Sequence, residues 1–239
     1  MIRTLFFFGT FAVTLGIYTP KLIILKSLKE KLPPQDFAII VEEYTSKWAS
    51  TLMKVSGAKV HVSGLEHIPK DEPVLFVSNH QSNFDTALFM SYIRKPKGFI
   101  AKKELAKIPM LPIWMGHLRC VLMDRTDMKK QLQSILEGIQ ILKDGHSMVV
   151  FPEGTRSQSN EMAEFKPGSF KLATKTKVPI VPVTICGSYK LMEQNNNRIK
   201  PADVYITVHP IVCTKDLSQD ELTQLPKNVF DTIKSALRD

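Results

Sequence analysis

From residue 59 onward, short apolar runs alternate with longer amphipathic stretches, and this alternation limits the possible fold more than any other feature. Residues 59–63 (KVHVS) alternate as a half-buried strand does, while 74–77 (VLFV) and 147–151 (SMVVF) are continuous apolar runs of the buried-strand kind. Further strands are expected at 99–101, 120–123, 180–185 and 204–208. Helical patterns fall between them, at 86–93, 104–116 (broken by Pro109 and Pro112), 127–143, 169–177 and 220–237. The 127–143 stretch gathers Leu132, Ile135, Leu136, Ile139 and Leu142 on one side, the side an amphipathic helix turns inward. Strands alternating with helices imply an α/β domain over residues 58–239, with a mixed, largely parallel sheet flanked by helices. A chain of 239 residues is long enough to bury such a core.

Residues 1–57 follow a different pattern and are expected to form a membrane-docking segment. Residues 4–20 carry no charge, and a second apolar cluster, Leu22 to Leu25, lies between Lys21 and Lys26. As a helix, 4–20 would extend about 25 Å, short of the ~30 Å hydrocarbon core. Gly9, Gly16 and Pro20 further weaken a straight spanning helix, and no small-residue cleavage site precedes Pro20. A helix entering one leaflet, with lysines at the headgroups, fits the pattern best; a single spanning helix is the alternative. After Pro33-Pro34, residues 35–55 place Phe37, Val41, Tyr44, Trp48, Leu52 and Val55 in one stripe. This second helix either packs on the main domain or returns as the other arm of a docking hairpin.

Three cysteines, at 120, 186 and 213, make neither a disulfide framework nor a zinc site, which favours a reducing compartment. The formal net charge of +9 favours an anionic partner: nucleic acid, an anionic membrane face or a phosphorylated substrate. Nucleic acid is disfavoured, because the recognition motifs and interleaved aromatic and basic residues are missing.

The chemistry concentrates where strands end. In 79–85 (NHQSNFD), His80 follows a strand and Asp85 falls in the first turn of the next helix. If the turn folds back, the carboxylate can accept an imidazole N–H and leave the other ring nitrogen as a general base. The same spacing also serves a capped helix with a hydrogen-bonded histidine. In 151–157 (FPEGTRS), a glycine-containing loop presents Arg156, which can bind phosphate bidentately; a turn with an exposed ion pair is the plainer alternative. Residues 165–170 (FKPGSF) precede a lysine-bearing helix. Residues 178–183 (VPIVPV) carry two prolines, which suggests an edge strand, a bulge, or N–H groups facing a groove. A basic segment from Lys102-Lys103 ends at Asp124-Arg125.

Taken in order and spacing, NHQSNFD, the AKKEL to DR segment, FPEGTRS, FKPGSF and VPIVPV resemble the glycerolipid acyltransferases over residues 58–190. The most similar branch is the bacterial 1-acyl-sn-glycerol-3-phosphate (lysophosphatidate) acyltransferases. The chain departs from that pattern at Pro112, where Gly is frequent, and at Arg119, where a small residue is frequent. The resemblance implies a catalytic pair, His80 and Asp85, in which His80 deprotonates the acceptor 2-hydroxyl for direct attack on an acyl thioester. It makes Glu153, Gly154, Thr155 and Arg156 the acceptor-binding block, with Arg156 on the phosphate and Lys103 and Arg125 as helpers. It puts Val178, Pro179, Ile180, Val181 and Pro182 near the acyl donor. The implied partners are lysophosphatidate, acyl-CoA or acyl carrier protein, and an anionic phospholipid membrane, with no metal or cofactor. The expected location is monotopic or peripheral on the cytoplasmic face of the cell membrane.

Overall fold

A computed structural model describes residues 1–238. Its centre is a seven-stranded sheet built from β1 (Lys59–Ser63), β2 (Leu75–Ser78), β3 (Lys97–Lys102), β4 (Val121–Met123), β5 (Ser147–Val150), β6 (Ile180–Cys186) and β7 (Asp203–Val208). The strands lie in the order β1-β7-β6-β2-β5-β3-β4. All neighbours are parallel except β6 and β7, so the sheet is mixed and largely parallel, as the alternation predicts. Every residue of β2, β5 and β6 is buried, which is why these strands read as continuous apolar runs.

Among the described residues, seven α-helices pack around the sheet: α1 (Ile2–Lys31), α2 (Pro34–Ser56), α3 (Phe84–Tyr92), α4 (Leu111–His117), α5 (Met128–Lys143), α6 (Lys171–Thr176) and α7 (Gln219–Ser235). Alternate strand residues feed two cores. Phe76, Phe99, Val149 and Val181 pack with α1 to α4, while Leu75, Val77, Met148 and Ile180 pack with α5 to α7. The first core runs across residue 57 without a break: Phe7, Leu22 and Leu25 of α1 and Phe37, Val41 and Leu52 of α2 belong to it. Each such side chain contributes roughly 1.5–3 kcal/mol when fully buried.

The second helix therefore takes the first of its two expected roles, packing on the main domain, and it pairs with α1 as it does so. The α2 stripe divides, with Phe37, Val41 and Leu52 in the core and Tyr44, Trp48 and Val55 half-buried. Trp48 Nε1 donates to Thr14 Oγ1 at 3.0 Å, and Arg3 donates to the Val55 carbonyl, so α1 and α2 form an antiparallel hairpin. Against the expectation that Pro20 weakens a straight helix and that residues 4–20 are too short to span, α1 continues through Pro20 to Lys31, 30 residues in all, and is long and apolar enough to cross a membrane. A proline removes only its own N–H, and here the turns beyond it bury Leu22 and Leu25.

Two other expectations need correction. In α5 the buried face is Ser134, Gly138, Ile141 and Leu142, whereas Leu132 and Leu136 are 56% and 57% exposed. Small residues let α6 approach: a Cβ on Gly138 would lie 2.7 Å from Leu172 Cδ2. Of the expected stripe, Leu142 is buried and Ile135 and Ile139 pack against the core, so apolar periodicity sets the face of this helix only in part. Strand β6, expected as an edge strand, a bulge or a strand with N–H groups facing a groove, lies inside the sheet between β2 and β7. Its prolines are tolerated by position. Pro179 precedes the strand. Pro182 directs its missing N–H toward 209–212, where the ladder to β7 has given way to a bridge in which Ile180 and Val212 exchange two N–H to carbonyl bonds and to a bond from the His209 N–H to the Pro182 carbonyl.

Candidate active site

The three central strands β6, β2 and β5 run parallel, and the chemistry-bearing loops leave their carboxyl ends, the usual binding edge of such a sheet. Asn79, one residue past β2, continues the pairing with its side chain, donating to the Ile185 carbonyl and accepting from its N–H, both at 2.8 Å. This anchor fixes the position of His80.

The 80–85 turn does fold back. His80 Nδ1 lies 2.7 Å from Asp85 Oδ2. That same oxygen accepts the backbone N–H groups of Gln81 and Ser82 at 2.7 and 2.8 Å, while Oδ1 accepts the Ser188 hydroxyl at 2.6 Å. Asp85 is fully buried, and these four donors satisfy it as a carboxylate. An acceptor at Nδ1 puts the imidazole proton there and leaves the lone pair on Nε2, which has no partner among the described residues. The ring stacks on Phe151, centroids 4.2 Å apart, and its side chain is 17% exposed.

The 151–157 loop closes around the His80 backbone. Glu153 Oε1 accepts the His80 N–H at 2.6 Å, and the Ser157 N–H donates to the His80 carbonyl at 2.8 Å. The other Glu153 oxygen accepts the Ala163 N–H at 2.9 Å. Burial pushes the Glu153 carboxyl above its ordinary range, while the two N–H bonds pull it back. Glu153 thus braces the histidine from beneath. Gly154 adopts φ +73°, and a Cβ there would come 2.6 Å from Lys166 Nζ, so the position suits glycine. Thr155 is exposed, and Arg156 is half-buried at the surface of the site.

The remaining basic residues are tied in less directly. Arg125 donates to the Gly154 carbonyl. Lys103 pairs with Asp124 at 2.6 Å, and that bond, with two from Thr126, holds the Asp124 carboxyl well below the usual range. Residues 178–182 are not brought to the histidine. Leu75 pairs with Ile180 and Ser78 with Val183, so His80 stands level with the far end of β6, and all five side chains are buried, Ile180, Val181 and Pro182 within the strand. What reaches the site from this stretch is its continuation, Gly187-Ser188: Ser188 bonds Asp85, and the Gly187 N–H donates to Gln81 Oε1 at 2.9 Å.

Sequence reasoning missed Ser188 and Glu193. A Gly-Ser pair immediately after a strand was the available signal for Ser188. For Glu193, inside the polar run LMEQNNN, the sequence offers none. Its carboxylate accepts from Ser82 Oγ at 2.7 Å, from the Asn83 N–H at 3.0 Å and from Arg156 at 3.1 Å.

A family model described as Acyltransferase matches residues 59–186, which hold the whole 79–85 and 151–157 segments. The 1-acyl-sn-glycerol-3-phosphate acyltransferase of Borreliella burgdorferi is 31% identical over 183 residues, covering 77% of this chain and 73% of its own. A probable 1-acyl-sn-glycerol-3-phosphate acyltransferase of Mycoplasma genitalium is 35% identical, covering 88% and 81%. Of the longer chloroplast relative LPAT1 from Arabidopsis thaliana, 31% identical over 83% of this chain, the alignment spans 57%. The crystal structure of the 1-acyl-sn-glycerophosphate (LPA) acyltransferase PlsC from Thermotoga maritima matches at a TM-score of 0.84 and 30% identity, over 98% of this chain and 92% of that one. By fold, by motif order and by these relatives, the chain belongs to the acyltransferase family.

Proposed function

We propose that the chain transfers a fatty acyl group from a thioester to the 2-hydroxyl of 1-acyl-sn-glycerol-3-phosphate, giving phosphatidate. The observation that carries this reading is the free Nε2 of an Asp85-oriented His80 whose backbone is clasped by the loop bearing Arg156. His80 Nε2 takes the hydroxyl proton as the oxygen attacks the thioester carbonyl carbon. The tetrahedral oxyanion collapses, the C–S bond breaks, and the imidazolium returns the proton to the departing sulfur, which leaves as the free thiol and restores neutral His80. Asp85 stabilises the imidazolium and keeps the ring in its tautomer. Arg156 holds the acceptor phosphate, with Arg125 and Lys103 adding positive charge at the loop.

The donor is acyl-CoA or an acyl carrier protein thioester. Either is already activated, so the mechanism draws on no metal or redox group. The exposed apolar side of α1 supports docking on one leaflet of the cell membrane from its cytoplasmic face, where both lipids are exchanged.

Purified protein in detergent, incubated with labelled acyl-CoA or acyl carrier protein and a panel of acceptors, tests the reading. Labelled phosphatidate from lysophosphatidate is expected. Preference for glycerol-3-phosphate or another lysophospholipid would replace the acceptor, and transfer to none of them would overturn the proposal.

A further inference from the structure

We infer that Glu193 is a positioning residue that aims Arg156 at the acceptor phosphate and locks it to the His80 turn, an assignment that rests on the function proposed above. Glu193 begins a short 3₁₀ turn (Glu193–Asn195), held by the Asn195 N–H on the Met192 carbonyl and by Asn195 Nδ2 on the Lys190 carbonyl. Its side chain is 1% exposed. A carboxylate this deeply buried is tolerated only when paired and hydrogen-bonded, and every partner it has belongs to the site.

Those partners come from two separate loops. One oxygen accepts the Ser82 hydroxyl, and the other accepts both the Asn83 N–H and Arg156. Ser82 and Asn83 form the entry to α3, within the turn that carries Asp85 against His80. Arg156 lies on the far loop, 37 residues before Glu193 in sequence. One carboxylate therefore spans the base-bearing turn and the cation-bearing loop and fixes their separation. Arg156 uses a single terminal nitrogen on Glu193, and its remaining donors have no partner among the described residues. The open edge of the guanidinium keeps the planar donor set a phosphate needs, and its direction is set before the ligand arrives.

The charge of Glu193 also repels an incoming phosphate, so the neutral variant decides which effect dominates. A double-mutant cycle provides the test, comparing wild type, Glu193→Gln, Arg156→Ala and the double variant with lysophosphatidate as acceptor. Glu193→Gln should lower acceptor kcat/KM roughly tenfold, the size expected for a hydrogen bond to a charged group, mainly through KM. On the Arg156→Ala background the same change should cost less than about twofold. Thermal melting of each variant separates this coupling from loss of fold, because a purely structural role would lower Tm and act equally on both backgrounds.

Additive effects, an unchanged kcat/KM or a tightened acceptor KM in Glu193→Gln would overturn the inference. Should that variant not fold, Glu193→Asp, which withdraws the charge by one methylene, is read in the same cycle with the same two outcomes. If wild-type protein transfers nothing to lysophosphatidate, the proposed function fails first and this inference falls with it. If wild type is active and the cycle is additive, only the role of Glu193 fails.

Discussion

Glu153 reaches beneath His80, and one of its carboxylate oxygens accepts the histidine's backbone N–H at 2.6 Å. The residue that the family resemblance places among the acceptor ligands is thus bonded to the main chain of the proposed base. Glu153→Gln should lower kcat about tenfold while leaving acceptor KM nearly unchanged, because one oxygen that now accepts becomes an NH₂ facing an N–H donor. Steady-state kinetics with varied acceptor gives the split; a rise in KM alone would instead mark Glu153 as an acceptor ligand. Its raised carboxyl pKa also has a stability consequence. The folded state holds the proton more tightly than the unfolded state, so this group's contribution is full below the unfolded value near 4.5 and is lost as pH rises through the folded one. The Gln variant should lack that particular loss.

His80→Ala should abolish transfer with the fold intact. A general base contributes typically ~10²–10⁴-fold. Asp85→Asn should cost nearly as much, and it should also destabilise, because the fully buried carboxylate collects four donors from His80, Gln81, Ser82 and Ser188. Initial rates paired with thermal melts distinguish the two variants. Near wild-type turnover in His80→Ala would refute the mechanism.

Ser82 is the only hydroxyl in the 79–85 segment, and its proton is directed at Glu193, away from the imidazole. It also accepts the Phe84 N–H at 3.1 Å. Such a hydroxyl is a turn-former and not an activated nucleophile. Ser82→Ala should retain activity within about an order of magnitude, the loss reflecting one hydrogen bond to a charged group. Intact-protein mass spectrometry after mixing with donor alone should show no added acyl group. An acyl mass on Ser82 would overturn direct attack.

His146, buried between α5 and β5, predicts an acid limb in stability. Burial, assisted by the charges of Arg119 and Lys97, lowers its pKa to about 4, and its Nε2 bonds the Leu118 carbonyl at 3.2 Å. The unfolded chain protonates near 6.5 and the folded chain near 4, so stability is full above 6.5 and falls as pH drops through that window. The loss is on the order of 1–3 kcal/mol. His146→Gln should flatten the decline in Tm between those pH values; an unchanged slope would assign the acid limb elsewhere.

Most of the fold could be read locally because β2, β5 and β6 are buried on both faces and α2 and α7 carry regular stripes. The face of α5 could be read only in part, since Ser134 and Gly138 bury through smallness, which hydropathy does not register. His80 and Asp85 sit five residues apart, so one turn brings them together. The direction of β6 relative to β2 decides that 178–182 stay buried at its start while Ser188 reaches Asp85, and that register is a long-range property. Glu193 stands 110 residues after Asn83, and only the tertiary fold closes that distance.

The last prediction concerns how the chain meets its lipids. On α1, the residues Ile2, Leu5, Phe6, Val13, Ile17, Ile23 and Ile24 are all more than half exposed, and they recur at helical spacing on the side away from the core, with Ile2 and Phe6 bordering Lys54 and Val55 of α2. The opposite side is committed to protein: Phe7 packs on Phe84 at the entry to α3, Thr14 on Trp48, and Lys21 lies over the rings of Tyr18 and Tyr44. A spanning helix would have to strip those contacts and take Thr14 and Lys21 into hydrocarbon, whereas a helix lying in one leaflet keeps them. Phe7 beside Phe84 also sets the amino-terminal turns of α1 next to the 80–85 turn, so a docked α1 brings His80 to the interface. The triple change Phe6→Ser, Val13→Ser and Ile17→Ser alters only exposed side chains and should leave Tm unchanged. It removes on the order of 1 kcal/mol of apolar burial per residue. Binding to anionic vesicles should then fall about a hundredfold, while activity on detergent-dispersed substrate persists. Thiol labelling of a cysteine placed at residue 2, from each side of sealed vesicles, completes the test. Labelling from the side of the catalytic domain is expected, and labelling only from the opposite side would mean that α1 crosses the bilayer.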